Sequence, residues 1–310
     1  LPVPADRGNN HYATYSEDHP MCDNDTVHGS TEHPRKYGIT RRQFTTMAAS
    51  VSLLTMLPPV ANAQAVTASE VEITTPDGVC DAYFVHPSTG ASAAVLMWPD
   101  IFGLRDAFRA MGKRLAESGY AVLVVNPFYR TQKAPTSVDG ESFADPGVRE
   151  KLMGLMGSLT AERNVTDAKA FIGWLDQQGA VDTSRKVGTM GYCMGGPIVM
   201  RTAATLPDRV GAGGSFHGAG LSTQNPDSPH LLIPQMKAEM LIAIARNDDA
   251  QDPASKDILR KSFDEAGVKA EIEVYAGDHG WCVPDSAQYH EAAAERAWER
   301  MLAIFERQLA

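Results

Sequence analysis

Three short stretches carry residue types that could act together on a carbonyl compound. The first is Gly191-Tyr192-Cys193-Met194-Gly195-Gly196, a thiol set between glycines. It follows Lys186-Val187-Gly188-Thr189-Met190, which reads as a buried strand, and precedes Pro197 to Ala204, which reads as a helix. A nucleophile on such a strand-to-helix turn is lifted above the sheet edge, and glycines two before and two after it let neighbouring backbone come close. The helix that follows turns its free N–H groups and positive dipole end toward the thiol, which favours thiolate and later an oxyanion. Pro197 suits a first helical turn, where its missing donor costs nothing. The second stretch is Ala245-Arg246-Asn247-Asp248-Asp249, an acidic pair after the apolar run Leu241 to Ala245. The third is Gly277-Asp278-His279-Gly280-Trp281, a histidine after the run Ile272 to Tyr275. An imidazole can take the thiol proton to give a thiolate–imidazolium pair, and a carboxylate can fix its tautomer. Asp248 and Asp249 are adjacent and point in different directions, so one of them reaches the imidazole and the residues alone leave open which. A buried structural cysteine and a surface-loop histidine are the plainer readings of each stretch taken singly. Nucleophile, acid and base in that order, each at a strand's carboxyl end, favour catalysis.

The elements that must hold these stretches follow from hydrophobic period. Val71 to Thr74 and Val79 to Val85, separated by Pro76-Asp77-Gly78, predict a β-hairpin. Strands are expected at 93–98, 120–125, 210–216, 240–245 and 270–275. Helices are expected at 106–117, 152–157, 162–178, 255–265 and 287–309, and a long loop at about 126–145. Apolar strands alternating with amphipathic helices imply a mainly parallel sheet with helices on both faces. Residues 64–310 need only one domain, with no internal repeat.

With those motifs placed, the chain resembles the dienelactone hydrolase family of the α/β-hydrolase superfamily. The resemblance is carried by Trp98-Pro99-Asp100-Ile101-Phe102-Gly103-Leu104, Gly191 to Gly196, Ala245 to Asp249 and Gly277 to Trp281, and extends over residues 70–310. It implies Cys193 as nucleophile, Asp248 rather than Asp249 as the acid, His279 as the base, and an oxyanion hole from the backbone N–H groups of Met194 and Ile101. No cofactor or metal is expected for thiol catalysis of this kind. Two positions depart from the family pattern. The family's glutamate in the Ile-Phe-Gly loop is here Asp100, about 1.5 Å shorter in reach. Asp100 is expected near the nucleophile, with capping of a helix beginning near Arg105 as the alternative. The family arginine that binds the substrate carboxylate has no counterpart at the same spacing. Arg130 is the candidate for it, against the plainer role of a solvated surface charge. Tyr129, His217 and Trp281 are further candidates for the pocket wall, with ordinary packing as the competing role.

Residues 1–38 are polar and without hydrophobic period, which predicts disorder. Thr40-Arg41-Arg42-Gln43-Phe44, a weakly apolar run from Met47 to Val60 and Ala61-Asn62-Ala63 resemble a twin-arginine (Tat) export signal cut after Ala63. The expectation is an enzyme exported by the Tat machinery through Arg41 and Arg42 and working in the periplasm. Residues 1–63 are thus expected to form a disordered leader that contains the signal. The net charge of −10 and the lack of a basic cluster in the body argue against nucleic acid and anionic membrane as partners. The four cysteines form no CxxC pair, which removes zinc-ribbon and thioredoxin-like readings. In an oxidising compartment Cys80 and Cys282 could bridge, and buried free thiols are the default.

The expected activity is hydrolysis of a small-molecule ester or lactone through an acyl-cysteine. A general carboxylesterase or thioesterase fits the same triad, since fold does not fix substrate. A periplasmic binding or redox-sensing module, with Cys193 as sensor thiol, is the reading from another class. An oriented His–Asp pair argues against it.

Overall fold

The computed structural model describes residues 57–310 apart from Asp139. The twin-arginine stretch and residues 1–56 lie outside the described residues.

Eight strands form one sheet: β1 (Val66–Thr75), β2 (Gly78–Pro87), β3 (Ala94–Trp98), β4 (Ala121–Val125), β5 (Val187–Tyr192), β6 (Val210–Phe216), β7 (Glu239–Ala245) and β8 (Ala270–Tyr275). Their spatial order is β1-β2-β4-β3-β5-β6-β7-β8. The expected hairpin is there: β1 and β2 pair antiparallel with Thr75 opposite Gly78. The Thr75 hydroxyl closes the turn by donating to the Gly78 carbonyl at 3.0 Å and accepting from the Asp77 N–H at 3.1 Å. β2 meets β4 antiparallel, and from β4 to β8 every pairing is parallel.

Period-two alternation divides the core between the two faces of the sheet. On β3, Ala94, Leu96 and Trp98 face one core; Val95 and Met97 face the other. Helices α3 (Ala161–Leu175), α4 (Gly195–Thr205) and α6 (Ser255–Ala266) cover the first side with Phe171, Ile198 and Phe263 among others. Helices α1 (Asp106–Glu117) and α7 (Glu291–Gln308) cover the second with Phe108, Leu115, Met301 and Phe305. This is the mainly parallel, doubly covered sheet that the sequence predicts.

Differences lie at element ends. Helix α2 (Pro146–Met156) begins six residues before the predicted 152, because Asp145 caps it by accepting from the N–H groups of Gly147 and Val148. Such a cap contributes about 1 kcal/mol, and proline is favoured at the following position. Helix α7 begins at Glu291 rather than 287, capped by the His290 side chain on the Ala293 N–H. A one-turn helix α5 (Arg246–Gln251) and a 3-10 helix (Pro229–Gln235) occupy stretches where the sequence predicts no element. Cys80, Cys193 and Cys282 are free and buried, so the Cys80–Cys282 bridge does not form. Among the described residues no helix is long and apolar enough to cross a membrane.

Candidate active site

The carboxyl ends of β3, β5, β6 and β8 converge on one cavity of about 870 Å³. Cys193, His217 and His279 line it, together with Asp100 and Ile101.

Cys193 follows β5 directly and has φ of +52°, in the left-handed region that a non-glycine residue enters at a cost of about 1–3 kcal/mol. Packing holds it there. The Cys193 N–H donates to the Phe216 carbonyl at 3.0 Å, and its carbonyl accepts from the Gly196 N–H at 3.0 Å. The glycines around it are required by contact. A Cβ on Gly191 would lie 2.3 Å from the Gly195 carbonyl oxygen, and one on Gly195 would lie 2.6 Å from the Trp98 carbonyl oxygen. Backbone occupies both places, so neither clash can relax by a side-chain rotation. The tight turn thereby sets the thiol at the start of α4, against a small apolar cluster of Ile101, Phe128, Phe143, Leu152, Leu155 and Met194.

Strand β7 leads into α5, whose first turn carries the two acids. Asp248 Oδ2 lies 2.7 Å from His279 Nδ1, whereas Asp249 accepts from Lys256 Nζ at 2.6 Å. The ambiguity left by the sequence is resolved in favour of Asp248. A carboxylate can only accept, so Nδ1 carries the proton and Nε2 is the basic nitrogen. The histidine loop is also clasped through backbone. The His279 N–H donates to Asn247 Oδ1 at 2.7 Å, and the Arg246 N–H donates to the Gly277 carbonyl at 2.9 Å. Asn247, which holds the backbone of the base, was not singled out from sequence. Its place next to the acid was the available signal.

His217 also has a left-handed backbone, φ +40°, and its N–H donates to the Ala243 carbonyl at 2.8 Å. Its ring stands edge-on to that of His279, centroids 4.7 Å apart, and its Nδ1 lies 3.4 Å from Cys282 Sγ. Burial, and then the neighbouring His279, push its pKa well below the usual histidine value, so it is neutral. Burial pushes the Cys282 thiol well up, with Asp100 adding to the effect. Cys282 is therefore an unreactive neutral thiol behind the site.

Asp100 lines the cavity but is held by Arg105, with Nη1 to Oδ1 at 2.6 Å and Nη2 to Oδ2 at 2.9 Å. It also accepts from the Phe102 N–H at 2.9 Å, and the cap of α1 is Arg105, not Asp100. Arg105 then reaches across to Asp285 at 2.6 and 2.8 Å. One guanidinium thus ties the Ile101 loop to the loop that follows His279.

Three expected pocket residues are elsewhere. Arg130 is not an anion anchor: it pairs with Asp77 and Asp167 at 2.7 Å each and does not line the cavity. Tyr129 is bound into the same network, donating to Asp167 Oδ1 at 2.8 Å with its hydroxyl 2.8 Å from that of Thr75. Trp281 is fully buried and stacked on Tyr275 at 4.9 Å, a core residue rather than a wall. Asp167 drew the first two inward. It is a buried acid on the inner side of α3, which no hydrophobic period reveals.

Known proteins resemble this chain in sequence and in fold. The model of the dienelactone hydrolase family matches residues 80–309. The carboxymethylenebutenolidase of Rhodococcus opacus is 28% identical over 235 residues, which cover 73% of this chain and 86% of that protein. A dienelactone hydrolase-like promiscuous phosphotriesterase from metagenomic libraries shares the fold with a TM-score of 0.66 and 23% identity, over 79% of this chain and all of that one. The dienelactone hydrolase of Anabaena variabilis superposes with a TM-score of 0.55 at 17% identity, over 79% of this chain and 99% of that one.

Proposed function

The chain belongs to the dienelactone hydrolase family, and from that premise we propose that it hydrolyses an ester or lactone through a covalent acyl-cysteine. The observation that carries the proposal is that His279, paired with Asp248 at 2.7 Å, lines the same cavity as a strained, helix-start Cys193. His279 Nε2 takes the proton of Cys193, and the thiolate attacks the carbonyl carbon. The carbonyl π pair moves to oxygen, where the N–H groups of Met194 and Ile101 receive the charge. As the carbonyl reforms, the C–O bond to the leaving group breaks and imidazolium gives its proton to the departing alkoxide. For a lactone that alkoxide stays on the acyl chain. Water, deprotonated by His279, then attacks the thioester, and the thiolate leaves and is reprotonated. Esters suit this site better than amides, because a thiolate expels an amine poorly without strong acid assistance.

Export by the Tat machinery, cleavage after Ala63 and a periplasmic location belong to the same proposal. Their support is the order of Arg41, Arg42 and Ala61-Asn62-Ala63. A general esterase is the second reading, favoured by the sequestration of Arg130 away from the cavity. Steady-state hydrolysis of 4-nitrophenyl acetate and of a dienelactone, by the chain and by Cys193→Ala, tests the proposal. Turnover of both that depends on Cys193 supports it. Turnover of the simple ester alone favours the second reading, and no Cys193-dependent turnover overturns both.

A further inference from the structure

Among the described residues, the cavity lining carries two guanidinium groups, Arg105 and Arg109, and four carboxylates, Asp100, Asp106, Glu141 and Asp285. Both guanidinium groups already face carboxylates. Arginine has five N–H donors, and Arg105 has a partner for each of them. Its Nε and Nη2 donate to Asp285 at 2.6 and 2.8 Å, Nη1 and Nη2 to Asp100 at 2.6 and 2.9 Å, and Nη1 again to the Gly103 carbonyl at 3.2 Å. Burial alone would lower its pKa, and the two carboxylates more than reverse that, so it stays charged and paired. Arg109 is turned to Glu70 at 2.7 Å and Asp106 at 3.6 Å. Glu141 takes Lys151 at 3.0 Å. With Glu70 and Lys151 included, three cations stand against five carboxylates. Arg130, the remaining candidate for binding an anion, is locked outside the lining.

A substrate carboxylate entering this cavity meets net negative charge, and both guanidiniums in the lining already hold carboxylates, Arg105 with every donor engaged. Like-charge juxtaposition of this kind is how sites reject a ligand. What remains for binding is uncharged: the apolar Ile101, Phe102, Val138 and Phe143, with the hydroxyls of Ser137, Ser142 and Ser286 and the amide of Gln288. From this charge arrangement we infer that the substrate is an ester or lactone without a free carboxylate. The inference rests on the hydrolase reading above and gives that reading its substrate class.

Two probes that differ in charge and by one methyl group decide it: carboxymethylenebutenolide and its methyl ester, with ring opening followed by absorbance at neutral pH and release of methanol measured separately. The methyl ester is expected to have the higher kcat/KM by at least about ten-fold, a gap that narrows as salt is raised. Equal or faster opening of the free acid overturns the inference. Calorimetric binding of the same two compounds to Cys193→Ala separates the inference from the chemistry. If neither ring is opened the lactone part of the hydrolase reading fails, and the order of binding still tests the charge reading. Tighter binding of the methyl ester supports it; equal or tighter binding of the acid overturns it, and so does failure of the methyl ester to bind. In Asp285→Asn, which removes one negative charge and loosens Arg105, the ester-to-acid ratio of kcat/KM is expected to fall by about ten-fold. An unchanged ratio overturns the role given to Arg105.

Discussion

Asp248→Asn should slow catalysis by a calculable amount while leaving the fold intact. In the reacting enzyme His279 becomes an imidazolium whose Nδ1–H faces Asp248 Oδ2 at 2.7 Å. The charge centres are then about 4 Å apart, worth about 4 kcal/mol at an effective dielectric constant near 20. The two side chains are 15% and 26% exposed, so solvent screens part of this. Asparagine also keeps a neutral acceptor. About 2 kcal/mol should remain as the loss, or roughly a 30-fold fall in kcat/KM. The assay is hydrolysis of 4-nitrophenyl acetate, with thermal unfolding to show that the variant is folded. Asp249→Asn is the internal control. Its carboxylate sits on Lys256 at 2.6 Å and has no contact with the base, so kcat/KM should stay within about two-fold. The reasoning is refuted if Asp249→Asn is the slower variant, or if Asp248→Asn stays within about two-fold of the parent.

Three further outcomes are expected. Arg130→Met leaves Asp167, whose side chain is 1% exposed, without its charge partner, and should lower stability by about 3 kcal/mol in urea while kcat/KM changes little; a large rise in KM with unchanged stability would return Arg130 to the substrate site. Gly195→Ala drives a methyl to 2.6 Å from the Trp98 carbonyl oxygen and should cost about 3 kcal/mol or more, so a fully stable and active variant contradicts the packing of the turn. His217 is held neutral, its folded pKa below the unfolded value of about 6.5, so its contribution is present above that pH and lost as pH falls below it, at up to about 1.4 kcal/mol per pH unit. Urea midpoints measured across that range should show the parent losing more stability on acidification than His217→Asn; equal losses refute a buried neutral imidazole.

What could be read in the sequence was the backbone-level logic of the site. Gly191, Cys193 and Gly195 announce a turn too tight for side chains, and the clash distances at those glycines bear this out. Acid and base follow strands in order, and the structure joins Asp248 to His279. Strand positions were legible because continuous apolar runs leave few alternatives. Charge partners over long sequence separations were not. Arg105 looks like a surface residue at a helix start, yet it is fixed by Asp285, 180 residues away. Arg130 and Tyr129 follow β4 at the position of a pocket loop, but Asp167 on α3 draws both away. Trp281 neighbours the base in sequence, and the turn at Gly280, φ +94°, sends its ring onto Tyr275 instead. Each of these depends on which way a side chain leaves a loop, and hydrophobic period carries no such information.

The most direct measurement is acid-quench mass spectrometry of the chain caught during turnover of 4-nitrophenyl acetate, followed by peptide mapping. One acetyl group on the peptide containing Cys193, formed and lost at rates that account for turnover and absent in Cys193→Ala, is the expected result. An acetyl group on another residue, or undiminished hydrolysis by Cys193→Ala, would contradict the acyl-cysteine mechanism.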